Sequence, residues 1–181
     1  MGGELNAATS RDSTVLYTRV PDSQTEKALS VMTDMVVSPA FADVDSERDV
    51  VLEEIAMVDD MPQDLVHELA AEAVFGSHPL GRPVIGTAQV ISTVSPRALR
   101  SFHEGAYVGQ NVVLAAAGNV RHNRLVELVA AALPRRKAAR TVTGSVFRGK
   151  APPRRVFLER PTEQVHVVLS GLGLARGDDR R

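Results

Sequence analysis

A chain of 181 residues, 44% hydrophobic and 24% charged with a formal net charge of −1, has an ordinary globular composition and length for one ample core or two small ones. It contains no cysteine, which excludes disulfides and thiolate metal sites, and no apolar run near the roughly 18 residues of a membrane span. No charged-then-apolar signal segment stands at the start, so a cytoplasmic location is expected, and 18 arginines against 3 lysines suggest a GC-rich bacterial coding sequence.

Glu4 to Ala8, the turn residues Ser10, Arg11 and Asp12, and Thr14 to Val20 read as a strand pair, the second run being rich in β-branched and aromatic types. Asp22 or Ser23 is placed to cap a helix that carries Ala28, Val31, Met32, Met35 and Val36 at helical spacing, and Pro39 stops it. An acidic helix then runs from about Asp45 or Ser46 to Asp59 with Val51, Ile55 and Val58 as its packing stripe. Pro62 and Gly76 bracket another helix from Gln63 to Phe75, and Ser77 to Gly86 is a structured loop.

Ser95 caps a short helix that begins at Pro96 and runs toward Gly105. Asn111 to Ala117 reads as an apolar strand, and Gly118-Asn119 turns it into a helix from Arg121 to Leu133 with Leu125, Leu128, Val129 and Ala132 inward. Arg155 to Leu158 and Gln164 to Leu172 read as two more strands. The order β-β-α-α-α-α-β-α-β-β predicts an α+β fold, with an antiparallel or mixed sheet and helices packed on one face.

Charge is unevenly spread. Asp43 to Glu72 holds eleven acids and one arginine, whereas Pro134 to Arg155 holds eight basic residues and no acid. The basic block contains Pro134, Gly144, Gly149, Pro152 and Pro153 and only Phe147 for stacking, so it reads as a solvated linker. Neither nucleic acid nor membrane is expected as a partner.

The acidic helix includes E-R-D-V-V-L-E-E-I from Glu47 to Ile55. Glu47 and Glu54 are seven residues apart, almost two turns, so they point the same way ~10 Å apart and can serve one site. A carboxylate on a rigid helix suits zinc as an oxygen ligand. Both lie beside the packing stripe, where partial burial would demand a cation or hydrogen-bond donors; the competing reading is an amphipathic helix with an exposed acidic face. Asp49 and Glu53 point elsewhere, as surface charges. Among the five histidines, His67-Glu68 opens an H-E-x-x-H whose second histidine position is Ala71, and His78, His103, His122 and His166 are scattered.

Several motifs in order resemble one family. Gly2 to Ala7, Thr9 and Thr14, Glu47 to Met57, His78 to Gly86 and Ala117 to Val120 are similar to the pitrilysin/insulinase family, peptidase M16, which includes the mitochondrial processing peptidase. The resemblance covers nearly the whole chain. It implies a LuxS/MPP-like metallohydrolase architecture, with a partial peptidase domain at 1–109 and the start of the following subdomain at 110–181, joined through the basic linker at 134–155. These inverted zincins use H-x-x-E-H on one helix, with a downstream glutamate as third zinc ligand. Matched to that pattern, Glu54 is the third ligand and Glu47 a catalytic-site acid that tunes it. The H-x-x-E-H would fall before Met1, because it lies farther upstream than the 53 residues that precede Glu54.

The resemblance further implies that the strand from Gly3 to Ala7 takes a peptide as an added strand through the Asn6 and Ala7 region. Arg82 is a candidate partner for an acid of the neighbouring helix. The expected function is a zinc metalloendopeptidase that hydrolyses peptides or presequences, present here as a fragment. It would hold Zn²⁺ only when the upstream histidines are supplied, and would be inactive in isolation. Its expected partners are a peptide or unfolded polypeptide and a second M16 half or homologous subunit. The alternative is a non-catalytic homologue that acts as scaffold or partner subunit.

Overall fold

The computed structural model describes residues 2–133, 147, 149, 154–175 and 177–180. Most of the predicted linker at 134–155 lies outside the described residues. In chain order the elements are β1 (Glu4–Thr9), β2 (Thr14–Arg19), α1 (Thr25–Val37), α2 (Val44–Asp60), α3 (Pro62–Phe75), α4 (Ala88–Thr93), α5 (Pro96–Ala106) and α6 (His122–Ala132). Single 3-10 turns stand at Asp22–Gln24, Pro79–Gly81 and Gly109–Asn111. The chain divides into two units, Met1–Val44 with Val94–Thr143, and Asp45–Thr93 with Gly144–Arg181. The fold class is α+β, as the element pattern predicts.

In the first unit β1 and β2 pair antiparallel, from Glu4 opposite Arg19 to Thr9 opposite Thr14. Their turn is held by Ser10, whose N–H donates to the Ser13 carbonyl at 2.7 Å and whose hydroxyl donates to the Asp12 carboxylate at 2.8 Å. One face of the hairpin meets α1, where Leu5, Thr18, Val20, Ala28 and Met32 line a small cavity of about 60 Å³.

The start of α1 departs from the sequence reading. Asp22 does not cap it, because one carboxylate oxygen accepts the Ser23 N–H at 2.7 Å and the other accepts the Asn119 side-chain amide at 2.6 Å. The buried positions of α1 are Ala28 and Leu29, whereas Val31 and Met35 stay 37% and 47% exposed. Helix α6 packs along α1 as its half-buried Leu125, Leu128, Val129 and Ala132 require, and Arg124 reaches Glu26 at 2.7 and 3.0 Å.

Helix α5 opens as predicted, with the Ser95 hydroxyl accepting the Ala98 N–H at 3.2 Å and Pro96 in the first turn. Its His103 is buried. Nε2 lies 2.7 Å from the Val36 carbonyl, which can only accept, so Nε2 carries the proton. The imidazole stacks on Tyr107 at 4.8 Å and meets the edge of Phe41 at 5.8 Å, and the Arg100 guanidinium sits 5.3 Å from the Phe41 ring centre. Phe41 adopts a φ of 51°, a left-handed conformation that a bulky residue keeps only when packing enforces it.

In the second unit α2 is an unbroken rod of 17 residues that buries Ile55. Pro62 starts α3, and Gly76 ends it at a φ of 57° with its N–H on the Glu72 carbonyl at 2.8 Å. The following His78-Pro79-Leu80-Gly81 folds back on that end. The Leu80 N–H donates to His78 Nδ1 at 3.2 Å, and a Cβ on Gly81 would collide with the Gly76 carbonyl. Phe75, His78 and Phe147 form a ring cluster with centroids 5.3 to 6.5 Å apart.

The predicted strands Asn111–Ala117, Arg155–Leu158 and Gln164–Leu172 are corrected. Among the described residues the single sheet is the β1–β2 pair, and these three segments carry no ladder. A segment rich in β-formers becomes a strand only beside a second backbone. Without one, Val113, Val165 and Leu169 stand 93%, 88% and 95% exposed. Between α3 and the segment from Arg154 to Leu172 lies a trough of about 970 Å³ lined by Leu65, Leu69, Val156, Leu158 and Val168, far looser than a packed interior.

The His103 contacts predict their own energetic signature. His103→Ala, which removes both ring and bond, should destabilise the first unit by about 3 kcal/mol, and His103→Phe, which keeps the ring, by about 1–2 kcal/mol. Urea unfolding midpoints unchanged in both variants would show that the Val36 bond and the ring stack carry no stability.

Candidate functional site

Among the residues singled out in the sequence, Glu47, Glu54 and Arg82 lie in the second unit and Asn6 and Ala7 in the first. Glu47 and Glu54 project from the same side of α2 because nothing interrupts the helix between them. The stripe Val51, Ile55 and Val58 is turned inward as the pattern requires, with Ile55 only 7% exposed.

Partial burial of the two carboxylates is corrected: both side chains are exposed. At about 100° per residue, Glu47 and Glu54 stand about 80° and 100° round the helix from Ile55, just past the flank that Val51 and Val58 mark. One further step round the cylinder is enough to reach solvent. Asp49 and Glu53 are exposed surface charges, as expected.

Arg48 fixes this helix from the opposite flank, and the sequence reading passed it over. It is half-buried, its Nε donates to the Ile91 carbonyl of α4 at 3.1 Å, and its Nη1 pairs with the Asp45 carboxylate one turn earlier. The opposite end of α2 is held by Arg160, which donates to the Asp59 carbonyl, where a cation suits the helix dipole. The signal for Arg48 was its place on the apolar face of an otherwise acidic helix. The signal for Arg160 is absent from local sequence, since its partner is 101 positions away.

Arg82 follows the 3-10 turn at Pro79–Gly81 and is exposed, with its backbone N–H on the Pro79 carbonyl at 3.1 Å. Asn6 and Ala7 sit centrally on β1, opposite Tyr17 and Leu16, and Asn6 Oδ1 accepts the Ala7 N–H at 2.8 Å.

The donor chemistry determines what this arrangement can hold. Glu54 offers one hard oxygen ligand on a rigid support, with a second carboxylate two turns before it. Among the described residues, no cluster of three or more His, Cys, Asp or Glu side chains could hold a metal ion. A zinc centre takes three protein ligands in catalytic sites, so these residues fit one part of such a site and do not form it alone. Among the described residues, no helix is long and apolar enough to cross a membrane.

Two family models match the chain: Insulinase (Peptidase family M16) over residues 1–88, and Peptidase M16 inactive domain over residues 93–181. An uncharacterized zinc protease of Streptomyces coelicolor is 40% identical over 190 residues, matching 100% of this chain and 41% of its own length. One from Mycobacterium tuberculosis is 43% identical over 100% of this chain and 43% of its own length, and YmxG of Bacillus subtilis, also called an uncharacterized zinc protease, is 32% identical over 99% and 44%. The chain thus spans less than half the length of these curated relatives.

Among solved structures, a peptidase M16 inactive domain from Pseudomonas fluorescens superposes with a TM-score of 0.69 at 25% identity, covering 78% of this chain and 36% of that one. A protease from Helicobacter pylori shares the fold with a TM-score of 0.72 at 22% identity, over 83% of this chain and 37% of that one. The ordered motifs, the α+β fold class and both family models agree: the chain belongs to the insulinase family of peptidases, M16.

Proposed function

We propose that this chain contributes part of a zinc-dependent metalloendopeptidase, in which Glu54 is one metal ligand and Glu47 orients and tunes it. The observation that carries this reading is the unbroken α2, which presents both carboxylates on one side in a chain whose relatives are named zinc proteases.

When bound, zinc supplies Lewis acidity to water and to the scissile carbonyl. What the chain itself contributes is position. Arg48 ties the start of α2 to the Ile91 carbonyl and the Arg160 guanidinium bonds the Asp59 carbonyl at its end, so Glu54 stands on a helix braced at both ends. Glu47 sets the charge beside it, and an adjacent anion strengthens the hold on a cation. The outer edge of β1 is the proposed seat of the substrate, an extended polypeptide bound by main-chain hydrogen bonds with little regard to side chains.

The histidine ligands and the general base would come from a segment outside these residues, and a second M16 half would close over the peptide. The chain carries portions of two successive domains, with α2 in the first and α6 in the second. The match of residues 93–181 to a model called inactive favours a second reading for that part, as scaffold or partner surface and not as catalyst.

In a protein of the relatives' full length, Glu54→Gln should lose zinc on dialysis, measured by atomic absorption, together with peptide hydrolysis. Full zinc content with full turnover would remove Glu54 from the ligand set. Glu47→Gln should weaken zinc affinity by about 10- to 100-fold, and an affinity and turnover equal to the parent would reduce Glu47 to a surface charge. The 181-residue chain alone, titrated calorimetrically with Zn²⁺, should show no stoichiometric site, since a lone carboxylate does not hold zinc. A one-to-one isotherm would mean that the chain builds a centre of its own.

A further inference from the structure

We propose that the Asn6 carboxamide is a gate on the free edge of β1, one that an extended polypeptide must open before it can pair there. The proposal rests on the reading of that edge as the substrate strand. Facing residues in an antiparallel ladder alternate between pairs that exchange both backbone bonds and pairs whose N–H and C=O point away. The Ser10 N–H bonds the Ser13 carbonyl at 2.7 Å, which makes that pair the bonded kind.

Counting back along the register, Ala8–Val15, Asn6–Tyr17 and Glu4–Arg19 are bonded pairs, and Thr9, Ala7 and Leu5 turn their N–H and C=O outward. The hydroxyls of Thr9 and Thr14, 3.3 Å apart, fit this phase, because side chains approach most closely across a non-bonded pair. Among the described residues the sheet has two strands, so no third strand takes the outward groups of β1.

The middle one of those three outward donors is already taken. Asn6 Oδ1 accepts the Ala7 N–H at 2.8 Å. The bond joins sequence neighbours, so rotation of one exposed side chain opens or closes it without moving the backbone. Asparagine is poorly suited to the middle of a strand, and this contact gives it a reason to be there. An uncovered edge invites indiscriminate pairing, which native chains suppress in several ways. A side-chain acceptor over the central donor suppresses it reversibly. The carbonyl of an incoming strand competes for the same N–H, so only a partner that offers several main-chain bonds at once displaces the carboxamide. The chemistry selected is an extended polypeptide, whatever its side chains.

The test uses the 181-residue chain, its Asn6→Ala variant, which lacks the acceptor, and Asn6→Asp, which keeps one. Ala7 amide exchange is followed by NMR, and binding of a fluorescein-labelled peptide of about ten alternating Val and Thr residues by anisotropy. Asn6→Ala should exchange the Ala7 amide about fivefold to tenfold faster and bind the peptide about fivefold more tightly, the factor that one net hydrogen bond confers. Asn6→Asp, whose charged carboxylate is the stronger acceptor, should exchange the Ala7 amide no faster than the parent and bind the peptide no more tightly. Unchanged Ala7 exchange in Asn6→Ala would overturn the gate, as would faster exchange with peptide affinity equal to the parent. Accelerated exchange with no peptide bound by any of the three proteins would instead overturn the strand-addition reading on which the gate depends.

Discussion

Every backbone N–H and C=O removed from water needs a partner, and this requirement decides which parts of the chain become regular structure. Helices meet it within their own segment, so α1 to α6 form wherever capping and periodicity permit. A strand cannot. The hairpin meets it locally because Ser10 and Ser13 turn the chain back on itself within four residues. Val113, Val165 and Leu169 belong to segments whose partner backbone is not among the described residues, and their apolar side chains face outward. The wide trough under α3 follows from the same constraint: an extended segment without a ladder borders the helix and does not close over it.

Local chemistry was therefore legible in the sequence where it acts locally. Pro62 and Gly76 mark the ends of α3, and Ser95 with Pro96 marks the start of α5, because each device works within one turn of the residue that carries it. Helix α4, six residues long, is too short to show a periodicity, and the sequence reading assigns no element between Gly86 and Ser95. Asp22 looked like a cap, yet its carboxylate is engaged by Asn119, 97 positions away. Nothing near Asp22 in sequence announces that competitor. The same holds for His103, whose partner Val36 is 67 positions distant and whose burial makes a scattered histidine part of the packing of the first unit.

The candidate site divides along the same line. Seven-residue spacing put Glu47 and Glu54 on one side of α2, and an unbroken helix preserves it. Exposure was not legible, because it depends on what covers the flank beyond Val51 and Val58, a tertiary matter. Arg48 shows the converse: it stands about 20° round the helix from Ile55 on the flank away from Val51 and Val58, half-buried, with its head on the Ile91 carbonyl. A basic residue on the apolar side of an acidic helix is a fixing point for that helix, and the sequence carried that information unused.

The proposed zinc ligand and the proposed substrate edge, each incomplete on its own, share a common logic. If the remaining ligands come from another segment, metal affinity measures assembly: zinc binds only what has come together, and binding free energy becomes association free energy. An exposed Glu54 bears almost no desolvation cost while it waits, since its charge is already solvated. The edge of β1 waits under a different constraint, because an open row of donors would pair with any extended chain. A carboxamide closed over the Ala7 N–H lets that edge wait as safely as the solvated carboxylate does, under a contact weak enough for the proper partner to replace.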